Sequence, residues 1–328
     1  MNSKAKIIKL TEIIVKILIV LLGIWILYSK IFHNHDIAQL WENIKYSVLE
    51  QNHLYLILTA FFLFPLNIFL EGIKWKIQLK PVENINYYKS FLSIFTGIST
   101  GMFFPNRMGN FLGKIFMLEK GDRIKAAMVT IVGGMAQIIT TISFGLIAGF
   151  FFLEKYLTLY IIGVILFIIL LLIIYFNISI LKYFNFLIPK KFKEKTKEYF
   201  EIFSLYNNIE LLKILVISCF RYILYSFQFV LLIWAFNIPL TYFQAMVPIS
   251  LTYLAMMIVP FITITEIAVR GSISIIIFEK WLIINGINNN SYDIMVFSAS
   301  SLLWILNIAI PSIIGLFLTY RLKFFRKK

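Results

Sequence analysis

The stretch GISTGMFFPNRMGN, residues 97–110, decides how this chain is arranged. It lies inside an apolar region, 88–118, that is too long for one straight membrane span and too short for two spans joined by a polar turn. Pro105 cannot continue the hydrogen-bond ladder of a helix, and it disfavours helix at Phe104. The sequence therefore predicts an apolar helix that breaks and turns at this point.

A second apolar region, 244–280, contains PFITITEIAVRG and has Pro260 and Arg270 near its middle. We interpret both regions as re-entrant helical hairpins, which enter and leave the membrane on the same side. In the first hairpin two glycines four residues apart share a helix face and permit close helix approach. The residues expected to form the hinges of the two hairpins are Gly97, Gly101, Pro105, Gly109, Pro260 and Gly271.

The composition indicates that most of this protein is surrounded by lipid. Of 328 residues, 60% are apolar and 14% are charged, against about 45–50% and 25% in soluble domains. This excludes a soluble domain, a disordered chain, a coiled coil and a disulfide scaffold. Six segments are long enough for a full membrane span, and they cover roughly residues 11–32, 54–75, 126–152, 157–180, 209–236 and 294–320.

The distribution of charge predicts the topology. The formal net charge is +15, and because the basic residues lie between the apolar runs, we attribute them to orientation in the membrane and exclude nucleic acid as a partner. Basic residues in 74–89, 119–125 and the loop 182–208 place these segments in the cytoplasm. Reading the two hairpins as single crossings would put the lysine-rich loop outside, against the positive-inside rule. Both termini are expected to be cytoplasmic.

These assignments predict an all-α polytopic membrane protein with six full transmembrane spans plus two re-entrant helical hairpins in an inverted-topology repeat. The whole chain, 1–328, forms a single integral membrane domain, with pseudo-repeat halves of about 1–153 and 156–328. No residue-level identity relates the halves, so the symmetry is topological. Secondary transporters commonly have this layout, and their ligands bind where the broken helices meet.

Polar residues at the two predicted breaks form the candidate site. Arg107 and Asn110 lie near the start of the second half-helix of hairpin one, where backbone donors and a cation suit an anion. Glu266 and Arg270 are four residues apart and can pair on one helix face. That pair is either a structural ion pair or a site in which the arginine binds an anion and Glu266 orients it or accepts a proton. The predicted substrate-binding residues are Asn106, Arg107, Asn110, Arg221, Glu266 and Arg270.

Other polar residues in the apolar runs have simpler interpretations. Arg221 either joins the site or snorkels to the cytoplasmic interface. Three residues that end the second span, Glu71, Lys74 and Trp75, are interpreted as interfacial anchors. Polar groups inside later spans are interpreted as bridges between helices. These are Gln137, Trp304 and Asn307.

The remaining motif classes give no candidates. The sequence has no Walker A motif, no GxGxxG and no nucleophile elbow, so no cofactor, no catalytic residue and no nucleotide-driven transport are expected. His33, His35 and Asp36 are too few and too close to predict a metal site. The lone Cys219 lies in an apolar run and predicts neither a disulfide nor a thiolate metal site.

Several of these residues carry a family resemblance. The chain resembles the flippase-like transmembrane family, named for the membrane half of lysylphosphatidylglycerol synthases. The matching residues are Pro105 to Asn110 with Lys114, Ser218 with Arg221 and Tyr222, Thr265 and Glu266 with Arg270 and Gly271, and Trp304 with Asn307, Pro311 and Gly315. The family usually has Glu where this chain has Asn110, so an ionisable role is not expected there.

The resemblance implies lipid movement between leaflets without lysine transfer, because the soluble catalytic domain of the synthases is not expected here. We therefore expect a lipid translocase of the bacterial cytoplasmic membrane, not an enzyme, that handles lipids with anionic or zwitterionic headgroups. Two alternatives share the same cavity: a protein that presents lipid to a separately encoded membrane enzyme, and a small-solute transporter. A membrane transferase would need a general base, and Glu266 is the one candidate.

Overall fold

The computed structural model describes residues 41–46, 53–104, 107–119, 121–152, 157–180, 197–259, 266–287 and 292–318. Within these ranges the regular elements are helices and no strand is found. The all-α class is therefore confirmed for this part of the chain. Helices suit a chain of this composition, since each satisfies its own backbone hydrogen bonds without water.

Ten of these helices are numbered here in chain order. They are α1 (Leu54–Leu79), α2 (Tyr87–Gly101), α3 (Gly109–Phe116), α4 (Arg123–Gly149), α5 (Leu157–Phe176), α6 (Asn208–Ala235), α7 (Tyr242–Ile258), α8 (Glu266–Ile284), α9 (Tyr292–Trp304) and α10 (Ile310–Leu318).

Five helical runs are long and apolar enough to cross a membrane. They are α1, α4 with the 3₁₀ turn Phe150–Phe152, α5, α6 and the continuous run from α9 to α10. Five of the six predicted spans are therefore present as helices of sufficient length, and the predicted span 11–32 lies outside the described residues. In α5 only 6% of the apolar window is buried, which leaves its sides available to lipid.

The last run is interrupted by a π-helical turn, Ile305–Ala309, which joins α9 to α10. A π turn holds more residues per turn than an α-helix and is often found at functional sites. Beyond it, α10 packs closely against α2. A Cβ added to Gly315 would lie 2.1 Å from the carbonyl oxygen of Phe95, so only glycine fits this contact.

The first predicted break is present, and it separates α2 from α3. Thr100 Oγ1 donates to the carbonyl of Gly109 at 2.8 Å, and Thr96 Oγ1 to the carbonyl of Gly113 at 3.3 Å. The later residue of α2 bonds to the earlier residue of α3, and the earlier residue of α2 bonds to the later residue of α3. The two helices are therefore antiparallel. A Cβ on Gly113 would lie 2.4 Å from the Thr96 carbonyl oxygen, which explains the glycine.

The second predicted break separates α7 from α8, and these two helices are also antiparallel neighbours. Gln244 Nε2, near the start of α7, donates to Asn285 Oδ1 just after α8 at 3.1 Å. Trp281 Nε1 donates to the carbonyl of Gln244 at 2.7 Å. The far end of the pair lies between Ile258 and Glu266, where the predicted hinge Pro260 is outside the described residues.

The connections collect at two opposite ends of α6. At its first end, Lys80 Nζ lies 2.7 Å from Glu210 Oε1, and Lys89 Nζ lies 2.7 Å from Glu83 Oε1. Gly121 N donates to Glu83 at 2.7 Å, so the start of α2 and the end of α3 meet here. Lys125 Nζ lies 2.5 Å from Glu198 Oε1, so the segments 74–89, 119–125 and the described part of 182–208 share one end.

The other end of α6 holds the connections that carry few basic residues. His53 Nδ1 lies 3.2 Å from the carbonyl of Ala235, at the last residue of α6. The turn that follows leads into α7 through Thr241 and Gln244, whose side chains cap each other's backbone in a capping box. The start of α1, the α6–α7 turn and the end of α8 therefore lie together.

Candidate functional site

A cavity of about 400 Å³ lies where the two broken helix pairs meet the long helices. Its walls come from α1, α2, α3, α4, α6, α7, α8 and the π turn. The two breaks, which are distant in sequence, therefore open onto one space. The volume is in the range of ordinary small-ligand pockets.

Polar side chains line this cavity at the middle of four of the five spans. They are Asn67, Gln137, Arg221 and Asn307. Each lies 13 to 15 residues after the first residue of its span and 11 to 15 before the last. With a rise of 1.5 Å per residue, this is roughly 20 Å from the start of each span. The cavity is thus near the midpoint of the helices that surround it.

The first charged cluster is centred on Glu266, the first residue of α8, whose side chain is completely buried. Arg107 Nε donates to Glu266 Oε2 at 3.0 Å, and Arg107 Nη2 contacts Oε1. Arg270 Nη2 donates to the same Oε1 at 3.2 Å, and its Nη1 donates to the Tyr225 hydroxyl at 3.3 Å. We call Arg107, Glu266 and Arg270 the Glu266 cluster.

Arg107 reaches this carboxylate from a strained backbone position. Its φ angle is +58°, in the left-handed region that is uncommon for a residue other than glycine. The side chain is 27% exposed, while its partner Glu266 is fully buried. A fork of two N–H groups on one carboxylate is a strong, directional contact. It joins the break of the first helix pair to the break of the second.

The second charged cluster is centred on Glu71 of α1. Its Oε1 accepts from Lys114 Nζ at 2.6 Å, and its Oε2 lies 2.9 Å from Lys74 Nζ. Arg221 Nη1 also contacts Oε2. Three cations from α1, α3 and α6 therefore share one carboxylate, and we call Glu71, Lys74, Lys114 and Arg221 the Glu71 cluster.

Amide side chains extend the Glu71 cluster across the cavity. Arg221 Nε donates to Asn67 Oδ1 at 3.0 Å, and Arg221 Nη1 donates to Gln137 Oε1 at 3.3 Å. Asn67 Nδ2 in turn donates to Asn307 Oδ1 at 3.4 Å. Asn307 lies in the π turn and donates to the carbonyl of Leu303 at 3.2 Å. The amides thus orient the Arg221 guanidinium and connect α1, α4 and α6 to the last span.

Tyrosines form one wall of the cavity. Tyr222, Tyr225 and Tyr253 all line it. The rings of Tyr225 and Tyr253 are 5.3 Å apart between centroids, and Phe144 stacks on Tyr222 at 4.5 Å. The Tyr225 hydroxyl of this wall accepts a hydrogen bond from Arg270, so the wall helps to position that guanidinium.

The structure brings most of the predicted binding residues together. Arg107, Asn110, Arg221, Glu266 and Arg270 all line the cavity, and the spacing-based pairing of Glu266 with Arg270 is observed. Arg221 contacts Glu71 and lines the cavity, in agreement with the first of its two interpretations. The side chain of the remaining predicted binding residue, Asn106, lies outside the described residues.

The predicted hinge glycines have different surroundings. A Cβ on Gly97 would lie 2.5 Å from Asn110 Oδ1, and one on Gly109 would lie 2.3 Å from the Thr100 carbonyl oxygen. Gly101 has more space, with Arg107 Cβ at 3.5 Å. Gly271 faces the ring of Phe297, at 2.3 Å, and is not among the residues that line the cavity. Pro105 and Pro260 lie outside the described residues.

Several cavity residues were absent from the sequence-based site. Glu71, Lys74 and Trp75 are not interfacial anchors: Lys74 is 4% exposed and Trp75 is fully buried. The expectation was wrong because these side chains turn into the protein: Lys74 pairs with Glu71, and Trp75 packs in the core with Leu79. Lys114 could have been predicted as a site residue from the sequence, because it follows Asn110 by four residues and therefore lies one helical turn further along α3.

Metal-ligating side chains do not gather in the part of the site that the structure describes. Among the described residues no three His, Cys, Asp or Glu side chains come together. The charged groups are mainly guanidinium and ammonium donors, which favour oxyanions such as phosphate or carboxylate. The cavity therefore brings several cationic side chains together in an apolar surrounding.

Taken together, the apolar helices and the central cavity define a polytopic helical membrane protein with an embedded polar site. The family described as lysylphosphatidylglycerol synthase TM region matches residues 13–276 of the chain. The chain belongs to this family, and the resemblance inferred from its motifs is confirmed. The match ends before Trp304 and Asn307, so the similarity assigned to the last span stays a prediction.

No curated protein and no solved structure gives a match to this chain. The family description associates the chain with membranes and with lipid chemistry.

Proposed function

We propose that this protein is a lipid translocase of the bacterial cytoplasmic membrane, moving a phospholipid or a related lipid with an anionic headgroup between leaflets. The observation that carries the proposal is the cavity between the helix breaks, where Arg107, Lys114, Arg221 and Arg270 gather near the middle of the spans. Charged groups at such a depth are costly and are usually functional. The family assignment supports a membrane role connected with lipid.

We interpret α2–α3 and α7–α8 as re-entrant hairpins that enter from opposite faces of the membrane. The supporting observations are the antiparallel contacts within each pair and the cavity that both breaks line. The open end of the first pair lies near Glu83, and that of the second lies near Asn285, at the other end of α6. This is the inverted-topology repeat that the sequence predicts.

The orientation in the membrane follows from the charges at the two ends. Lys80, Lys89 and Lys125 lie at the end that we place in the cytoplasm. In a background with Cys219→Ser, a cysteine replacing Lys80 should react with a membrane-impermeant thiol reagent only after the cytoplasmic face is opened. A cysteine replacing the exposed Phe243 should react in intact cells. The reverse pattern would contradict the proposed orientation.

In the proposed cycle the headgroup occupies the cavity while its acyl chains stay in the bilayer. Arg107 and Arg270 offer donors to the phosphate, and Arg221 contributes a third guanidinium. The Arg107–Glu266 contact joins the two hairpins, so movement of one hairpin against the other changes it directly. Rocking of the hairpins against α1, α4 and α6 exposes the site to one leaflet and then to the other. No bond of the lipid is broken or made.

The test is exchange of a labelled phospholipid between leaflets of proteoliposomes that contain purified protein. Arg107→Ala and Arg270→Ala should each slow exchange by about tenfold or more, since a charge-assisted hydrogen bond is lost in each. Lys213→Ala is the matched control, because Lys213 is an exposed cation of α6. Wild-type rates in both arginine variants would contradict the site, and lipid binding without exchange would indicate a lipid-presenting protein.

A further inference from the structure

The charges that line the cavity do not cancel. Among the described residues, the cations exceed the carboxylates by four to two, a formal charge of +2. The charged lining residues are Arg107, Lys114, Arg221, Arg270, Glu71 and Glu266. Lys74, which is buried behind Glu71, raises the formal charge of the two clusters to +3. An excess of this size is unfavourable in the interior of a membrane protein unless a ligand compensates it.

Neither carboxylate is open to a cationic headgroup. Both oxygens of Glu266 accept from arginine: Oε2 from Arg107 at 3.0 Å, and Oε1 from Arg107 and from Arg270. Both oxygens of Glu71 are likewise occupied by cations: Oε1 by Lys114, and Oε2 by Lys74 and Arg221. An ammonium group entering the cavity would have to displace one of these cations and would add to the positive excess.

One donor of the cavity, by contrast, has no acceptor among the described residues. Arg270 lines the cavity, its side chain is 10% exposed, and its Nε is buried with no hydrogen-bond partner among the described residues. A buried N–H without an acceptor is unfavourable and rare in folded proteins. An anionic oxygen placed beside this Nε would satisfy it and would lie next to the Glu266 cluster.

We propose that the ligand of this cavity is a phosphate monoester or diphosphate headgroup that carries at least two negative charges. This specifies the substrate class of the proposed function and rests on it for the assumption that the headgroup belongs to a lipid. A zwitterionic headgroup leaves the +2 excess of the lining in place, and a phosphodiester with one charge neutralises half of it. A headgroup with two charges balances the lining completely.

The experiment measures binding of short-chain lipids with identical acyl chains to the purified full-length protein in detergent. The probes are phosphatidic acid, phosphatidylglycerol and phosphatidylethanolamine. We expect phosphatidic acid to bind about tenfold more tightly than phosphatidylglycerol, the effect of one additional charge-assisted contact, and phosphatidylethanolamine to bind more weakly still. Equal affinities for the three lipids would overturn the proposal.

Variants test whether the preference arises from the excess cations. Lys114→Gln and Arg221→Gln each remove one cation of the Glu71 cluster and should reduce the preference for phosphatidic acid over phosphatidylglycerol by about tenfold. Using both variants keeps the test valid if one of them does not fold. Lys213→Gln is the control and should leave the preference unchanged. A preference that survives in folded Lys114→Gln and Arg221→Gln would overturn the assignment to this cavity.

A free phosphate compound offers the same chemistry, and pyrophosphate serves as the soluble probe. Pyrophosphate should displace phosphatidic acid only at a concentration at least about tenfold higher, because it lacks the acyl chains that bind beside the helices. If pyrophosphate binds as tightly as phosphatidic acid, the ligand still carries at least two negative charges, but it is not a lipid. The proposed function then fails. If leaflet exchange occurs without preference among headgroups, the proposed function stands and this inference fails.

Discussion

The two charged clusters of the cavity differ in the helices that carry them: one is formed at helix breaks, and the other mainly on continuous helices. In the Glu266 cluster, Arg107 and Glu266 come from the breaks of two separate helix pairs. In the Glu71 cluster, Arg221 and Glu71 lie within two continuous helices, α6 and α1, and only Lys114 comes from a broken pair. One cluster therefore joins the two broken pairs to each other, and the other joins a broken pair to the continuous helices.

This difference indicates that one cluster is fixed in position and that the other can change. The Glu71 cluster is fixed by α1 and α6, which pack along each other, and amides from Asn67 and Gln137 orient its arginine. The Glu266 cluster depends on Arg107, whose left-handed backbone lies between two helix ends. We infer that the first cluster holds charge in a constant position, while the second changes when the broken pairs move. The following predictions test this comparison.

The largest effect is expected when a central carboxylate is neutralised. Glu71→Gln and Glu266→Gln each leave buried cations without a counter-charge, which costs about 3–5 kcal/mol. Glu71→Gln should destabilise more, because among the described residues three cations contact Glu71 and two contact Glu266. Thermal unfolding in detergent measures both, and the exposed Glu279→Gln is the control. Equal melting temperatures for Glu71→Gln and Glu279→Gln would contradict the prediction.

A smaller effect is expected from filling the glycine contacts of the two broken pairs. A Cβ on Gly113 would lie 2.4 Å from a backbone oxygen, and a Cβ on Gly271 would lie 2.3 Å from the Phe297 ring. Because a ring can rotate and backbone cannot easily shift, Gly113→Ala should cost about 1–3 kcal/mol and Gly271→Ala less. The measurement is again thermal unfolding. Gly134→Ala is the control, since nothing lies within 4 Å of its added Cβ, and a loss there as large as at Gly113 would disprove the packing argument.

Replacing arginine by lysine should distinguish the two clusters more finely. Arg221 uses two nitrogens to reach Asn67, Glu71 and Gln137, and one ammonium cannot reproduce that fork. Arg221→Lys should therefore cost about 1–2 kcal/mol, and Arg270→Lys, which loses the long contact to Tyr225, should cost less. Chemical unfolding gives both values. The opposite order would show that the amides do not orient Arg221.

The smallest effect is expected at the amide bridge to the last span. The Asn67–Asn307 hydrogen bond is long, at 3.4 Å, and side-chain hydrogen bonds between membrane helices average about 0.6 kcal/mol. Asn307→Ala should lower stability by about that amount beyond the loss of side-chain packing. A double-mutant cycle with Asn67→Ala isolates the hydrogen bond. A coupling of about 2 kcal/mol or more would show that this bridge is a principal support of the site.

The sequence predicts the breaks and most long helices for simple physical reasons. Span length and apolar composition locate α1, α4, α5 and α6, because each must cross the same hydrocarbon thickness. The break in the first pair falls beside Pro105, since proline stops the helix ladder. Side-chain spacing along one helix also explains the Glu266–Arg270 pair. These features are local, so a single sequence contains them.

The Glu71 cluster was not predicted because its members come from three distant helices. Nothing within residues 71–75 indicates that Arg221, 150 residues later, contacts Glu71. Charges beside a tryptophan at the end of an apolar run usually mark the interface, and that rule failed here because Lys74 and Trp75 are buried inside the helix bundle. The role of Asn307 depends on the π turn, which has no clear signature in the sequence.

The π turn also fixes the rotational setting of everything that follows it. Each residue of an α-helix advances the side-chain direction by about 100°. If residues 305–309 closed into ordinary α-helix with none of them removed, the extra residue that the π turn accommodates would swing α10 around its axis by roughly that angle. Gly315 would then no longer point at Phe95, and bulkier neighbours would meet α2 instead. One irregular turn thus sets which surface of the terminal helix supports the first hairpin.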